Sequence, residues 1–136
     1  MTEDELEKIE ERWNKASEGR WMWEMNPKYH NIDLRTSCGM TVMDFVRWGM
    51  GGAAPRFRDE NHILHRVDKM TEPIPGREHH AHWAQRINHP DAVAIAAAPE
   101  DVRSLIAEVR RLRVENSEVT KRLAWASAHP RKPYPS

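Results

Sequence analysis

A repeating apolar pattern near the C-terminus constrains the fold more than any other feature of this sequence. Its members lie alternately three and four residues apart, which is the heptad spacing of a coiled coil. They are Val102, Leu105, Val109, Leu112, Asn116, Val119 and Leu123. Asn116 falls on an a position, where a buried amide fixes register and strand number, and Glu108 at g can pair with Arg113 at e of a parallel partner. The pattern predicts a C-terminal oligomerising helix over 99–126. The alternative is an amphipathic helix packed on the chain's own sheet.

The first residues predict a second helix. Thr2 and Glu5 have the spacing of a capping box, in which each side chain bonds a backbone N–H at the helix start. Gly19 is expected to end this helix, because glycine accepts the left-handed conformation found at many helix ends. The apolar face of the helix repeats at helical spacing through Leu6, Ile9, Trp13 and Ala16.

Residues 20–70 predict a small antiparallel sheet. Alternating patterns indicate strands at 21–23, 29–35, 41–48 and about 62–67, separated by turn-like stretches at 26–27 and 37–39. A glycine run at 49–52 breaks the third strand, and Pro55 keeps the following backbone extended. Residues 71–90 are expected to be irregular, residues 91–98 to form a short helix, and Pro99 to begin the next one.

The resulting prediction is an α+β fold with an N-terminal helix, a small antiparallel sheet and a C-terminal amphipathic or coiled-coil helix. The α+β core is expected over 1–98, the oligomerising helix over 99–126, and a disordered tail over 127–136. The 136 residues include six tryptophans but only two phenylalanines and two tyrosines. We expect most of the six to fill the core.

Composition excludes several classes of protein. The 21 basic and 21 acidic residues give a formal net charge of zero, which argues against binding to duplex nucleic acid. The longest uncharged apolar stretch, 92–98, is too short to cross a bilayer, so no membrane partner is expected. An acidic N-terminus is unlike a secretory signal, and a single cysteine, Cys38, fits a reducing cytoplasm.

Histidines offer the only enzyme-like pattern. His62, His65, His79, His80 and His82 have spacings that resemble metal ligands. A surface or structural role is the better interpretation, because short histidine tracts are weak evidence for a metal site. Phosphate-loop, nucleophile-elbow and catalytic-thiol patterns are missing from the sequence. We therefore expect no catalysis and no cofactor.

Cationic and aromatic residues cluster around the third predicted strand and the glycine run. Guanidinium forks suit phosphate oxygens, and indole or phenyl faces suit nucleobases. The predicted ligand-binding set is Arg47, Trp48, Met50, Arg56, Phe57, Arg58 and Trp23. In this hypothesis the arginines hold phosphates while Trp48 and Phe57 stack on bases. Packing at a strand end with surface arginines is an equally good interpretation of the same residues.

Four segments resemble a family of small phage and prophage proteins, especially from actinobacteria. The 42–57 segment, VMDFVRWGMGGAAPRF, is the most specific match. The stretch from Ala16 to Trp21 resembles the family's turn after its first helix, with Glu18 and Arg20 where the family has prolines. Residues 89–98 resemble its HPDA-x-x-IAAA stretch, and 101–116 resemble its helical ending. Residues 59–88 are largely uncovered. The resemblance implies a phage accessory protein acting in the cytoplasm of the bacterial host, with no established enzymatic activity.

These observations lead to three hypotheses. The first is a non-catalytic protein that sequesters a cyclic nucleotide immune signal at subunit interfaces of a dimer or tetramer, as the anti-CBASS and anti-Thoeris sponges of phages do. The second is a metal-dependent phosphodiesterase or related hydrolase that uses the five histidines named above. The third is an inhibitor that binds a host protein through exposed tryptophan and the C-terminal helix.

Overall fold

The computed structural model describes residues 1–47, 49–80 and 85–133 and has the predicted α+β architecture. Helix α1 (Glu3–Lys15) is followed by five antiparallel strands in the order β1-β2-β3-β4-β5. These are β1 (Trp21–Asn26), β2 (Asn31–Thr36), β3 (Thr41–Arg47), β4 (Ala53–Arg58) and β5 (Leu64–Arg66). A 3-10 turn (Val67–Lys69), the two-stranded ladder of β6 (Thr71–Pro73) with β7 (Gln85–Ile87), and helix α2 (Pro90–Ala128) complete the described chain.

The chain divides into two compact units. One comprises Thr2–Ala98, and the other comprises Met1 together with the chain from Pro99 onward. The five-stranded sheet, α1 and the first residues of α2 belong to the first unit. The long remainder of α2 belongs to the second.

Helix α1 begins as its sequence predicts. The Glu5 backbone N–H donates to the Thr2 hydroxyl at 3.2 Å, and the Thr2 backbone N–H donates to the Glu5 carboxylate at 2.7 Å. This reciprocal pair confirms the capping box. The helix ends at Lys15, earlier than Gly19 predicted, because Ala16 already has extended backbone. Gly19 does have positive φ, at 90°, but in the turn that leads to β1.

The five-stranded sheet confirms the β-rich prediction for residues 20–70. The turn at 37–39 lies where it was expected, and the turn at 27–30 overlaps the one expected at 26–27 but includes two residues assigned to the second strand. Strand β4 was not predicted as a strand, because Pro55 lacks the N–H that a ladder uses. Strand β5 pairs with Arg56–Arg58 and does not reach Pro55. At Pro55, strand β4 therefore has a neighbour on the β3 side alone, and the missing N–H is tolerated.

The two faces of this sheet have opposite character. Register places five charged residues in a row across the five strands: Glu24, Asp33, Asp44, Arg56 and Arg66. The neighbouring row, on the other face, is mainly apolar: Trp23, Leu34, Met43, Phe57 and His65. This alternation follows from the two-residue period of extended backbone. The charged row defines the polar face of the sheet.

The core of the described chain is small. Its buried apolar residues are Ala16, Leu34, Val42, Phe57 and Ala94. Val42 has no exposed surface and is the extra residue where the β2–β3 register shifts beside Leu34 and Arg35.

The expectation that most tryptophans fill the core is wrong for the four that the structure describes. Trp23 and Trp125 are exposed, Trp13 is just over one-third exposed, and Trp21 is half-buried.

Residues 71–90 are more regular than predicted. Thr71 pairs with Ile87 and Pro73 with Gln85, which makes a short antiparallel ladder. Glu72 accepts hydrogen bonds across this ladder from Arg86 and from the Asn88 amide. The turn residues Pro73, Pro75 and Gly76 masked this pairing in the sequence, since three-residue strands carry almost no periodic signal.

Helix α2 is continuous through Pro99. Two successive helices were expected, but Pro99 lies inside one helix that begins at Pro90. Further along α2, Arg111 donates to the Glu108 carboxylate at 2.8 and 3.0 Å, and this fork is the main reason that the pKa of Glu108 falls to about 2.

The predicted tail over 127–136 stays a prediction. The helix runs to Ala128, and residues 134–136 lie outside the described chain.

Candidate anion-binding cleft

The polar face of the sheet carries an ion pair between its central strands. Arg56 on β4 lies opposite Asp44 on β3. Its Nε donates to Asp44 Oδ1 at 2.9 Å and its Nη2 to Oδ2 at 2.6 Å. This two-point contact raises the pKa of Arg56 above its ordinary value. Both side chains are partly exposed, so the pair fixes the guanidinium in place more than it stabilises the fold.

A cleft of about 350 Å³ opens beside this ion pair. Its lining contains four side chains that are cationic at neutral pH and no carboxylate. The lining residues are Val46, Arg47, Arg56, Leu64, His65, Arg66 and Lys69. Arg47 ends β3, Arg66 ends β5, and Lys69 closes the 3-10 turn that follows. We refer to these seven residues as the cationic cleft.

Two cations of the cationic cleft have unsatisfied bonding capacity. The Arg66 Nε atom is buried and has no hydrogen-bond partner in the described chain, although it forms an ion pair with Asp68 Oδ1 at 3.4 Å. Lys69 forms no hydrogen bond or ion pair with any described residue. Arg47 donates its Nε to the Gly51 carbonyl at 2.9 Å. A buried donor without a partner is costly, so an added acceptor at this point would be stabilised.

His65 lines the same cleft, but its ring bonds Asp59 and none of the four cations. Its Nε2 lies 2.6 Å from Asp59 Oδ2. The Ile63 backbone N–H donates to the other oxygen of Asp59 at 2.9 Å. This backbone hydrogen bond, followed by the contact with His65, lowers the pKa of Asp59. The Asp59 carboxylate therefore shapes the β4–β5 turn and holds the His65 ring.

The structure brings together only part of the predicted ligand-binding set. Arg47 and Arg56 both line the cationic cleft. Phe57 is only 2% exposed, so its ring has no face for a nucleobase. Trp23 belongs to the opposite face of the sheet, and Met50 extends into solvent from the turn after β3. Trp48 lies outside the described residues.

Arg58 has a structural role in place of the predicted phosphate contact. Its Nε donates to the Thr41 carbonyl, its Nη2 to the Ser17 hydroxyl at 3.2 Å, and its Nη1 lies 2.9 Å from His62 Nδ1. It lines a separate, larger cavity of about 620 Å³. That cavity also contains the carboxylates of Asp59, Glu60 and Asp91, which would repel an anion.

Three of the four segments that carry the phage resemblance meet beside Arg58. The buried carboxylate of Asp91 accepts from the Ser17 backbone N–H and from the Ser17 hydroxyl, each at 2.6 Å. The ring of His89 stacks on Phe57 with centroids 4.9 Å apart. His89 Nδ1 accepts from the Asp91 N–H, so Nε2 carries the hydrogen that it donates to the Arg58 carbonyl at 2.6 Å. These contacts join the end of α1, strand β4 and the start of α2.

The histidines do not form a metal centre in the described chain. His62 bonds Arg58, His65 bonds Asp59, and both His79 and His80 are exposed. His82 lies outside the described residues. Within residues 1–47, 49–80 and 85–133, no group of three or more histidine, cysteine, aspartate or glutamate side chains is placed to hold a metal ion.

Sequence reasoning missed Arg66 and Lys69. The strand around 62–67 was predicted, but its partner was not. The register that sets Arg66 opposite Arg56 depends on β4, whose Pro55 concealed the strand. Lys69 reaches the cleft through a 3-10 turn, which has no distinctive sequence pattern.

The comparisons with known proteins add no relative. No protein-family model matches the chain, and neither a curated protein nor a solved structure shows significant similarity to it. Among the described helices, none combines the length and the apolar composition that crossing a membrane requires.

Proposed function

We propose that this protein binds and sequesters an anionic nucleotide without catalysis, with a cyclic nucleotide immune signal as the ligand. The observation that carries the proposal is the cationic cleft, which four cationic side chains line and where the buried Arg66 Nε has no hydrogen-bond partner in the described chain. Guanidinium and ammonium groups at one point are suited to phosphate oxygens. The phage resemblance supports this proposal, and the missing catalytic motif is consistent with it.

The contacts assign different roles to the four cations. Arg47, Arg66 and Lys69 would contact the phosphate, since none of them has a two-point contact with a carboxylate in the described chain. Arg56 already has its carboxylate partner and would position the others. A volume near 350 Å³ is at the lower end of the range for small-molecule pockets. One nucleotide unit would fill it.

Nucleotide binding is best tested with the full chain and its Arg66→Gln variant. Purified protein is titrated by calorimetry with cyclic dinucleotides, cyclic trinucleotides and inorganic phosphate, and bound ligand is recovered by heat and identified. We expect Arg66→Gln to weaken binding by roughly 10- to 100-fold, the loss typical of one charged hydrogen bond of about 1.5–3 kcal/mol. Recovered ligand should be chemically unchanged.

The matched control is Arg86→Gln. Arg86 is an exposed arginine that pairs with Glu72 on the β6–β7 ladder, away from the cationic cleft. It should bind the nucleotide as tightly as the parent. Equal weakening of both variants, or no retention of any nucleotide by the parent protein, would show that the cleft is not a nucleotide site.

A second candidate function is inhibition of a host protein, and one observation favours it. The apolar face of the sheet is open at its β1 side, where Trp23, Met25, Ile32 and Phe45 are each between 39% and 65% exposed. Met25 pairs with Ile32, so these side chains form one continuous surface, the β1–β3 patch. Exposed tryptophan and methionine are typical of surfaces that bind other proteins.

The two candidates respond to different substitutions. Replacing Trp23 and Phe45 with serine should abolish a stoichiometric complex with a host protein and leave nucleotide affinity unchanged. Arg66→Gln should have the reverse effects. Size-exclusion chromatography of the variants with the isolated host protein, beside the calorimetry, separates the two functions. A complex that survives the double substitution would remove the β1–β3 patch from consideration.

The proposal also includes self-association through the C-terminal helix. Six of the seven predicted seam residues are exposed in the single chain, and Leu105 is half-buried. Copies joined in this way would supply the subunit interfaces that a larger cyclic nucleotide needs.

A further inference from the structure

The second half of helix α2 is exposed along its whole length. Every residue from 109 to 128 is exposed. This segment is about 30 Å long, at 1.5 Å per residue. Apolar side chains nevertheless continue along its heptad seam, with Val109, Leu112, Val119 and Leu123 each at least 44% exposed. An isolated helix of this length gains little from propensity alone, so packing against another helix must supply the stabilisation.

The polar residue in the seam selects a second copy in parallel orientation as that partner. In a parallel, in-register pair Asn116 lies opposite Asn116, and the two amides can bond each other. In the antiparallel arrangement that keeps the apolar seam positions together, Asn116 would face Leu112. An amide buried against leucine has no acceptor or donor, and leaving it unsatisfied costs about 1–3 kcal/mol.

Charge complementarity selects the same orientation. Arg113 is exposed at an e position and has no ion pair in the described chain. In a parallel pair it lies beside Glu108 of the partner, and symmetry supplies this contact twice. In the antiparallel arrangement Arg113 would lie beside the partner's own Arg113. Glu108 is 16% exposed and already accepts from Arg111 and from the Met1 ammonium group, but a carboxylate has about four acceptor sites and can take a further donor.

Seam composition indicates the number of strands. In the first two heptads Val102 and Val109 occupy a positions and Leu105 and Leu112 occupy d positions, whereas Val119 at d and Leu123 at a reverse these types. β-branched residues at a with leucine at d favour two strands in parallel coiled coils.

From these observations we infer that residues 102–123 form a parallel, in-register, two-stranded coiled coil with a second copy of this chain, with Asn116 facing Asn116. The inference deepens the proposed function, because it fixes how two copies, each with one cationic cleft, are joined.

Crosslinking of engineered cysteines tests the orientation in the full chain. Cys38 is exposed and is first replaced by serine. In this background Leu123→Cys should form an interchain disulfide rapidly, because facing a positions bring Cα atoms to within about 6 Å. In the antiparallel arrangement Leu123 would face Leu105, which separates the two cysteines by about 27 Å along the helix. Val114→Cys, at the outer f position, is the matched control and should crosslink at least tenfold more slowly.

Sedimentation equilibrium of the same proteins should give the mass of two chains. A monomer at all concentrations, or a dimer in which Leu123→Cys crosslinks no faster than Val114→Cys, would overturn the inference. Nucleotide binding is measured separately on Leu112→Glu, which should be monomeric. A dimer that binds no nucleotide would leave the coiled coil standing and end the proposed function. If the parent protein fails to dimerise and Leu112→Glu still binds nucleotide, the coiled coil is overturned and nucleotide binding stands.

Discussion

Replacing Phe57 with alanine is expected to lower the free energy of unfolding by about 3–5 kcal/mol, the usual cost of truncating a buried phenylalanine. Phe57 is 2% exposed and lies on the apolar face at the centre of a small core. Its ring also supports the His89 ring at 4.9 Å, and that contact helps to hold the start of α2 on the sheet. The surrounding backbone is fixed by ladder hydrogen bonds to β3 and β5, so the resulting cavity cannot readily collapse. Urea unfolding followed by circular dichroism measures the loss.

Phe45→Ala is the matched control for this prediction. Phe45 lies on the neighbouring strand and the same face, but 39% of it is exposed. Its truncation removes less buried surface and should cost roughly 1 kcal/mol or less. Similar losses for the two variants would mean that the core does not centre on Phe57.

Replacing Asp91 with alanine should cost about 3 kcal/mol. The carboxylate is buried and accepts two hydrogen bonds at 2.6 Å from the Ser17 N–H and hydroxyl. Hydrogen bonds to a charged acceptor are stronger than neutral ones, and removing the acceptor leaves two donors without partners. Thermal unfolding should show a drop in Tm of more than 10 °C, because about 1 kcal/mol shifts Tm by roughly 4 °C in a domain of this size.

Two further variants test the cause of that loss. Asp91→Asn retains an oxygen that can accept from the Ser17 N–H, so it should recover part of the stability. Asp68→Ala removes a carboxylate whose side chain is 59% exposed and should cost less than 1 kcal/mol. If Asp91→Ala unfolds at the same temperature as Asp68→Ala, the bridge from Ser17 to α2 contributes nothing.

Local signals in the sequence predicted the elements that depend on local chemistry. The capping box of Thr2 and Glu5 needs only residues three apart, and the turns at 27–30 and 37–39 need only their own side chains. Pairing could not be predicted in the same way. The β6–β7 ladder joins strands separated by eleven residues, and its three-residue strands show no alternation. Pro99 was expected to start a helix because its missing N–H is harmless there, whereas α2 accommodates it internally.

The sequence predicted two of the four cations of the candidate site, and the other two depend on strand pairing. Arg47 and Arg56 were selected by residue type, and both line the cationic cleft. Phe57 was selected with them, but consecutive residues of a strand point to opposite faces. With β4 identified, this alternation would have separated Arg56 from Phe57. Arg66 could be assigned to the cleft only from the β4–β5 register, which sets it opposite Arg56. Tertiary pairing, which no single segment encodes, therefore decides which cations share the cleft.

The row across the polar face has a consequence for how an anion would arrive. Its three carboxylates occupy β1–β3, where Arg35 pairs with Asp33 and Glu24, and its two guanidiniums occupy β4 and β5, next to Lys69. A chain whose formal charge sums to zero thus has a potential gradient along one surface. Such a gradient can steer a diffusing phosphate ester toward the β5 edge and away from β1, and the capture rate falls as added salt shortens the Debye length. Electroneutrality of the whole molecule and attraction of anions at one edge are therefore compatible.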